Sequence, residues 1–413
     1  GDGAAIKNSR GSVELNRCRF LRNTASNSGG AIDNEDEGHL LVSEGIFVAN
    51  SAGSRGFGRG GSIYNRGNLS VRRTLFERST AIDAGGALSN SGEAEIINST
   101  LSNNSSPAGS AIANYWTASS KLTVVNSTLY GNESADHGAI DNLMGAGAAP
   151  EIATIVNSII AGNPGGDVYG AGFTSNGGNF IGVDSTPNGV FSAAGDRTLA
   201  STNTIIAEVL NPTLVDNGGS TLTHMLVPGS PAIDGGVNAD ALDGDGRLLM
   251  TDQRGRYRFV GGRVDIGSYE MDGNETYARW ASEALSAGAD GDFNGDADGD
   301  GDENGIEYGV GADGGRFGNA FQRKPTVIPR QDGGVDFTFG YRPASRDLVW
   351  VVGRSSDLIH FQEIYRLDEG VETSREDVSA ILDLSDPTRI IVTDQAPRDS
   401  RSFYQLTVIL KAP

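Results

Sequence analysis

The sequence predicts a mainly β protein whose first part is a parallel β-helix, and three observations carry that expectation. Glycine supplies 59 of the 413 residues and proline only 13, a balance that suits many tight turns between short strands. A motif of paired glycine, a small residue, a branched apolar residue and an asparagine returns as "SGGAIDN", "RGGSIYN" and "AGGALSN", with its apolar position at Ile6, Ile32, Ile63, Leu88, Ile112 and Ile140. A second motif, "FLRN", "FVAN", "FERS", "LSNN", "LYGN" and "IAGN", keeps step with it from Phe20, Phe47, Phe76, Leu101, Leu129 and Ile160. Intervals of 24 to 31 residues are too long for a helical heptad and fit one supersecondary repeat.

Each repeat reads the same way from its anchor. Seven and five residues earlier stand Val13/Leu15, Leu40/Val42, Leu69/Val71, Ala94/Ile96, Leu122/Val124 and Ala153/Ile155, the alternation of a strand with one apolar face. Two residues earlier the column is small throughout, Cys18, Gly45, Thr74, Ser99, Ser127 and Ser158, so Cys18 reads as a buried structural thiol. One such unit cannot bury its inner face alone, and stacking the units as coils solves this through parallel ladders. Paired glycines then serve turns of positive φ or close approach between coils. Asn23, Asn50, Asn104, Asn132 and Asn163 are expected to stack at one turn.

These GGA[ILV] and FxxN repeats resemble those of the polymorphic outer membrane proteins and related bacterial β-helix surface proteins. The resemblance covers about residues 1–170, with departures at Ser79, Gly109-Ser110 and His137-Gly138. It implies a right-handed β-helix at a bacterial cell surface or beyond it. From Ala171 the repeat loses regularity, and "VDNGGSTLTHMLVPGSPAIDGG" with "TDQRGRYRFVGGRVDIGSYE" closely resembles the choice-of-anchor Q region over residues 171–272. That resemblance implies irregular closing coils and an exported protein, and it attaches no activity. Asp252, Arg254, Arg256, Asp265 and Glu270 there are expected to serve ion pairs and turn bonds.

Residues 273–315 read as a helix entering an acidic loop. Tyr277, Trp280, Ala281 and Leu285 have helical spacing. "DADGDGDENGIE" then places Asp296, Asp298, Asp300, Gly301, Asp302, Asn304 and Glu307 at positions 1, 3, 5, 6, 7, 9 and 12 of the EF-hand calcium pattern. Calcium takes six to eight hard oxygens in flexible geometry, and so dense a carboxylate run repels itself without a cation. The loop resembles dockerin and thrombospondin type 3 calcium loops as much as an EF-hand, and one Ca2+ is expected. Residues 316–413 alternate as strands, "GVDFTFGYRPA", "DLVWVVGRSSDL", "RIIVTD" and "SFYQLTVIL", and predict a β-sandwich-like domain. "YRPASRDLVWVVGRSSDLIHF" loosely resembles a C-terminal module of large secreted bacterial proteins.

Composition narrows the function. A formal charge of −21 repels nucleic acid, and divalent cations and neutral glycans are the favoured partners. No apolar run is long enough to span a membrane. The single cysteine forms no internal disulfide, and no zinc spacing occurs. Catalytic carboxylates stacked on adjacent coils, which a polysaccharide enzyme requires, are not found: Asp33 and Asp141 share a column but lie several coils apart. Within "ANYWTASSK", Tyr115 and Trp116 either stack on sugar rings or hook over the coil's apolar edge. Asn68, Asn98, Asn103, Asn104, Asn126, Asn132 and Asn274 satisfy the N-x-[ST] sequon. The expectation is a non-enzymatic, extracellular structural or adhesive protein, braced by calcium and able to associate end to end; the alternative is a polysaccharide lyase or hydrolase. The sequence starts inside a repeat at Gly1, which fits either end-to-end assembly or a trimmed precursor.

Overall fold

The computed structural model describes the chain except residues 1, 55, 116–119, 136, 144–152, 187–188, 257, 261–262, 272–280, 282–284, 286–291, 298–301, 311–324, 342–347, 369–370, 376, 384–385, 396–401 and 412–413. It forms two compact units, one of residues 1–258 and 263–271, the other of residues 259–262 and 272–413.

The first unit is a parallel β-solenoid. Its first sheet stacks Ile6–Asn8, Ile32–Asn34, Ile63–Asn65, Leu88–Asn90, Ile112–Tyr115, Ile140–Leu143, Val168–Gly170 and Asp184–Ser185 in chain order. The second sheet runs in the same order from Ser12–Asn16 to Phe173–Ser175, and the third from Arg19–Leu21 to Arg197–Thr198. Every pairing among them is parallel and in register with the sequence columns; Phe20, Phe47 and Phe76 align, and their rings stack at 4.7 Å, the spacing of neighbouring strands. Ile32, Val42, Phe47, Ile63, Ile112, Leu129 and Ile140 are fully buried between the three sheets. Cys18 is only partly buried, unlike the buried thiol the small column predicts, because its coil is covered by a neighbour on one side alone among the described residues.

The glycine pair has two separate causes. Gly29 takes φ +65°, and a Cβ on Gly30 would lie 1.9 Å from the carbonyl oxygen of Gly61 on the next coil, so the first glycine serves the turn and the second the stacking. Two amide ladders run up the interior. Asn8, Asn34, Asn65, Asn90 and Asn114 each donate Nδ2 to the next Oδ1 at 2.7 to 2.8 Å, ending at Asn142, which donates to the Ala171 carbonyl. At the turn after the third sheet, Asn23 bonds Asn50, and Asn104, Asn132 and Asn163 form a run at 2.9 Å. Asn8, Asn34, Asn65 and Asn90 in the first ladder and Asn50, Asn104, Asn132 and Asn163 in the second also donate to backbone carbonyls that burial would otherwise leave unpaired.

The described residues of 199–258 and 263–271 hold almost no strand and return along the solenoid as a lateral strap. His224 meets Ser102, Gln253 meets Thr100, and Ser268 meets Thr128, all buried. Inside the strap Arg254 pairs with Asp252 at 2.7 Å, the Glu270 carboxylate accepts from the Asp265 N–H, and the Arg256 N–H donates to Asp252. These are the ion pairs and turn bonds the sequence suggests for this region.

The second unit is antiparallel. One sheet orders Thr326–Pro329, Val335–Gly340, Asp386–Asp394 and Val378–Asp383, the other Val371–Ser374, Gln362–Asp368, Leu348–Ser355 and Phe403–Leu410. Phe337 of one sheet packs 5.9 Å from Tyr404 of the other, and the core includes Phe339, Trp350, Val352, Tyr365 and Val392.

Candidate functional site

The acidic loop is described in part. Asp298 and Asp300 lie outside the described residues, as do Tyr277 and Trp280 of the preceding segment, where the Leu285 N–H bonds the Ala281 carbonyl at 3.2 Å. Asp296 is exposed, Asp302 half-buried, and Asn304 and Glu307 fully buried. Asn304 opens the helix Asn304–Val310. Its amide donates to the Asp292 carbonyl at 2.8 Å and accepts from the Ala297 N–H at 3.0 Å. Both ends of that side chain are committed to loop backbone, so Asn304 shapes the loop. The helix is anchored in its own unit: Trp350 Nε1 donates to the Gly309 carbonyl at 3.1 Å, and a Cβ on Gly309 would lie 2.8 Å from Val408. Among the described residues no group of three His, Cys, Asp or Glu stands close enough to hold a metal ion.

The sequons divide by burial. Asn98, Asn104, Asn126 and Asn132 are at most 3% exposed and hold backbone or side-chain partners. Asn68 and Asn103 are exposed, and Asn274 lies outside the described residues.

A more organised surface lies on the outer face of the first sheet. In each three-residue strand the apolar residue and the asparagine point inward, leaving the middle residue outward. In register these are Lys7, Asp33, Tyr64, Ser89, Ala113, Asp141, Tyr169 and Ser185. At the lower end Lys7 bonds Glu35 at 2.8 Å and Asp33 at 3.5 Å, while Arg66 reaches both carboxylates from above at 3.2 to 3.3 Å. Burial raises the Asp33 carboxyl against the pull of Arg66, and the Lys7 ammonium holds Glu35 down to about 2. The Arg66 guanidinium lies 5.2 Å from the Tyr64 ring centre.

Midway, Arg59 pairs with Asp83 at 2.8 Å and stands 4.0 Å over the Tyr115 ring, a close cation–π contact. Arg59 precedes its strand and Tyr115 ends its own, so the two meet across the face, over the small residues Ser89 and Ala113. Burial pushes Tyr115 up to about 12, keeping the phenol a neutral hydrogen-bonding group. At the upper end His137 Nδ1 bonds Asp141, and its ring stacks on Tyr169 at 4.4 Å and 7°. Asp141 is fully buried, its carboxyl raised by burial, and its Oδ1 has no hydrogen-bond partner among the described residues.

The face thus carries three tyrosines, each paired with a cationic or imidazole side chain. Of the residues singled out in the sequence it contains Tyr115, Asp33 and Asp141; Trp116 lies outside the described residues. Tyr64, Tyr169, Arg59, Arg66 and His137 were not anticipated. The signal was present for Tyr64, since the residue between the apolar position and the asparagine of a repeat must face outward, and for Tyr169, which follows the apolar Val168 in the same register.

Asp33 and Asp141 are four strand steps apart, about 19 Å at strand spacing, whereas paired glycosidase carboxyls stand about 5 to 9.5 Å apart. They cannot act together on one glycosidic bond. A separate groove of about 620 Å³ on the second sheet, bordered by Arg72, Glu93, Glu95 and Lys121, has no tyrosine, tryptophan or phenylalanine in its lining and offers no stacking platform.

Fold and face together define a parallel β-solenoid with an antiparallel sandwich and a tyrosine-lined lateral surface. Comparison with family models, with curated proteins and with solved structures finds no match.

Proposed function

We propose that the chain is an extracellular adhesive β-solenoid protein of the bacterial surface that binds glycans on the outer face of its first sheet. The observation that carries this reading is the set of tyrosines Tyr64, Tyr115 and Tyr169, each beside a charged or imidazole group. Aromatic faces stack on the apolar faces of sugar rings, and neighbouring polar side chains bind hydroxyl groups. The test is retention of the full chain on a broad glycan panel, compared with the Tyr64→Ala/Tyr169→Ala double variant. Binding reduced at least about tenfold in the variant, the loss of about 1.4 kcal/mol, is expected. A chain retained by no glycan, or a variant that binds unchanged, sinks the reading.

Calcium belongs to the same proposal. Asp296, Asp298, Asp300, Asp302 and Glu307 supply the hard oxygens, with Asn304 closing the loop. Calorimetry of the chelated full chain with calcium is expected to show one binding event; no heat and no change in unfolding would exclude it. End-to-end association has support in the Phe403–Leu410 strand, which stands at the edge of its sheet with Ile409 and Leu410 exposed, a pattern open to strand addition. Uniform monomers at micromolar concentration in electron micrographs would exclude it.

One observation favours the alternative, a polysaccharide-processing enzyme: His137 is oriented by a buried carboxylate, as a general base is. Release of new chain ends from a polysaccharide, abolished by His137→Ala, would establish it.

A further inference from the structure

Resting on the glycan-binding reading, we infer that the occupant of the first-sheet face is an unbranched, neutral, β-1,4-linked polysaccharide lying along the solenoid axis. The placement of the rings sets the direction. Tyr64, Tyr115 and Tyr169 belong to the third, fifth and seventh strands of the sheet. Successive tyrosines therefore rise two strands, about 10 Å at strand spacing, with Tyr115 set two residues along its strand from the column that Tyr64 and Tyr169 share. In an extended β-1,4-linked chain two sugar rings cover that rise, and every second ring presents the same face. A chain lying across the coils would meet one tyrosine only.

The electrostatics of the face select against charged sugars. Lys7 and Arg66 are spent on Asp33 and Glu35, and Arg59 on Asp83. The remaining carboxylate, Asp141, is held by His137. Among the described residues of the face no cation is left over to neutralise a uronate or sulfate, and the surrounding protein carries a net charge of −21, which repels polyanions. What the ion pairs do offer is planar, fixed donors and acceptors. The guanidinium edges of Arg59 and Arg66, 38% and 30% exposed, can donate to hydroxyl pairs on the sugar. Tyr169, 41% exposed, supplies the most open stacking surface. Small residues at 89 and 113 keep the floor between the outer tyrosines low enough for the Tyr115 ring to lie across it.

The decisive measurement is calorimetry of the full chain with neutral β-1,4-linked oligosaccharides of increasing length, beside α-1,4-linked and uronic-acid oligosaccharides of matched length. Tyr64 and Tyr169 are four strand steps apart, about 19 Å, so affinity is expected to rise until the ligand spans all three rings and then level off. Reaching each further tyrosine should gain about tenfold, with little dependence on salt. Tyr169→Ala should lower the plateau about tenfold and shorten the length at which it is reached, and an unchanged thermal midpoint shows that the variant is folded. Affinity that does not grow with length overturns the axial alignment. Preference for the uronic-acid series, weakened by salt, overturns the neutral-ligand assignment and leaves the adhesive reading standing. Binding to none of the series, together with none of the wider panel, removes both.

Discussion

The lower and upper turns of the solenoid repeat one backbone and carry opposite residues. At the corner between the second and third sheets, Arg17, Glu44 and Arg73 take φ of 50 to 54°, and Asn98, Asn126 and Asn157 take 45 to 49°. The left-handed conformation is the same in all six, although only asparagine adopts it readily and other L-residues lose about 1–2 kcal/mol there. What differs is the cover. The Arg17 side chain is 73% exposed and pairs with Glu44. Asn98 lies under the strap, donating to the Thr251 carbonyl at 2.7 Å and accepting from Arg258 at 2.7 Å, and Asn157 clasps Val237 from both ends of its amide. The corner geometry comes from coil stacking, whereas the residue that fills it answers to what lies on top. A short amide can serve both the corner and the strap's backbone; of the charged side chains Arg17 reaches into water, while Glu44, 8% exposed, is held between Arg17 and Arg73.

The largest expected effect separates the two halves of this column. Arg258 is fully buried and joins Asn98 to the strap beside Glu270, 3.7 Å away. Arg258→Met leaves buried carboxylates without their cation, and a loss of about 3–5 kcal/mol follows, measured as the midpoint shift in denaturant unfolding. Arg17→Ala, at the uncovered end, should leave that midpoint within error. Equal effects at both sites would end the distinction.

The strap should also give stability a pH signature of two opposed parts. Burial pushes Asp265 up to about 7 from 3.8. The unfolded chain therefore loses this proton first, and the contribution present below pH 4 is lost as pH rises to 7. Burial pushes His224 down to about 4 from 6.5, so the unfolded chain binds this proton first and stability falls as pH drops from 6.5 towards 4. Each amounts to a few kcal/mol, at about 1.4 kcal/mol per unit. Asp265→Asn should remove the fall on raising pH, and His224→Gln the fall on lowering it. A pH profile unchanged by both substitutions would show that the strap does not hold these groups buried.

The smallest effect tests the corner geometry alone. Ala49 holds φ +54° in the next turn, in line with Gly131 and Gly162 of higher coils. Ala49→Gly relieves the left-handed strain at an entropic cost, and the net is a gain of up to about 1 kcal/mol in thermal or chemical unfolding. A clear destabilisation would mean that the methyl group packs.

The coils were readable because contacts inside a solenoid join equivalent positions of neighbouring repeats. Ile32 pairs with Ile63 and Phe47 with Phe76, so each spatial ladder is already a column in the sequence. The parity of those columns also contained part of the candidate face: Tyr64 had to point outward once Ile63 and Asn65 pointed in, and Tyr169 follows from Val168 in the same apolar column. The role of Asn98, Asn126 and Asn157 was less legible. In the sequence they form one column, three residues before the anchors Leu101, Leu129 and Ile160, and in the fold they hold a strap instead of one another.

By itself the sequence determined the repeat, its strands and register, the turns that demand glycine or asparagine, and the alternating strands of the terminal sandwich. Each follows from period-2 patterning or from steric limits on φ, which act over a few residues and recur with every coil. Only the tertiary structure decided where the strap lies and which outward residues meet. Arg258 reaches Asn98 across 160 residues and Gln253 reaches Thr100 across 153. The Arg59–Tyr115 contact spans two coils, and although Arg59 stands in the repeat column of Ser28, Ala84 and Ala108, the neighbouring coils place no arginine there. Such contacts have no period, because they depend on the length of a turn or the path of a returning segment, and burial of the particular groups fixes both.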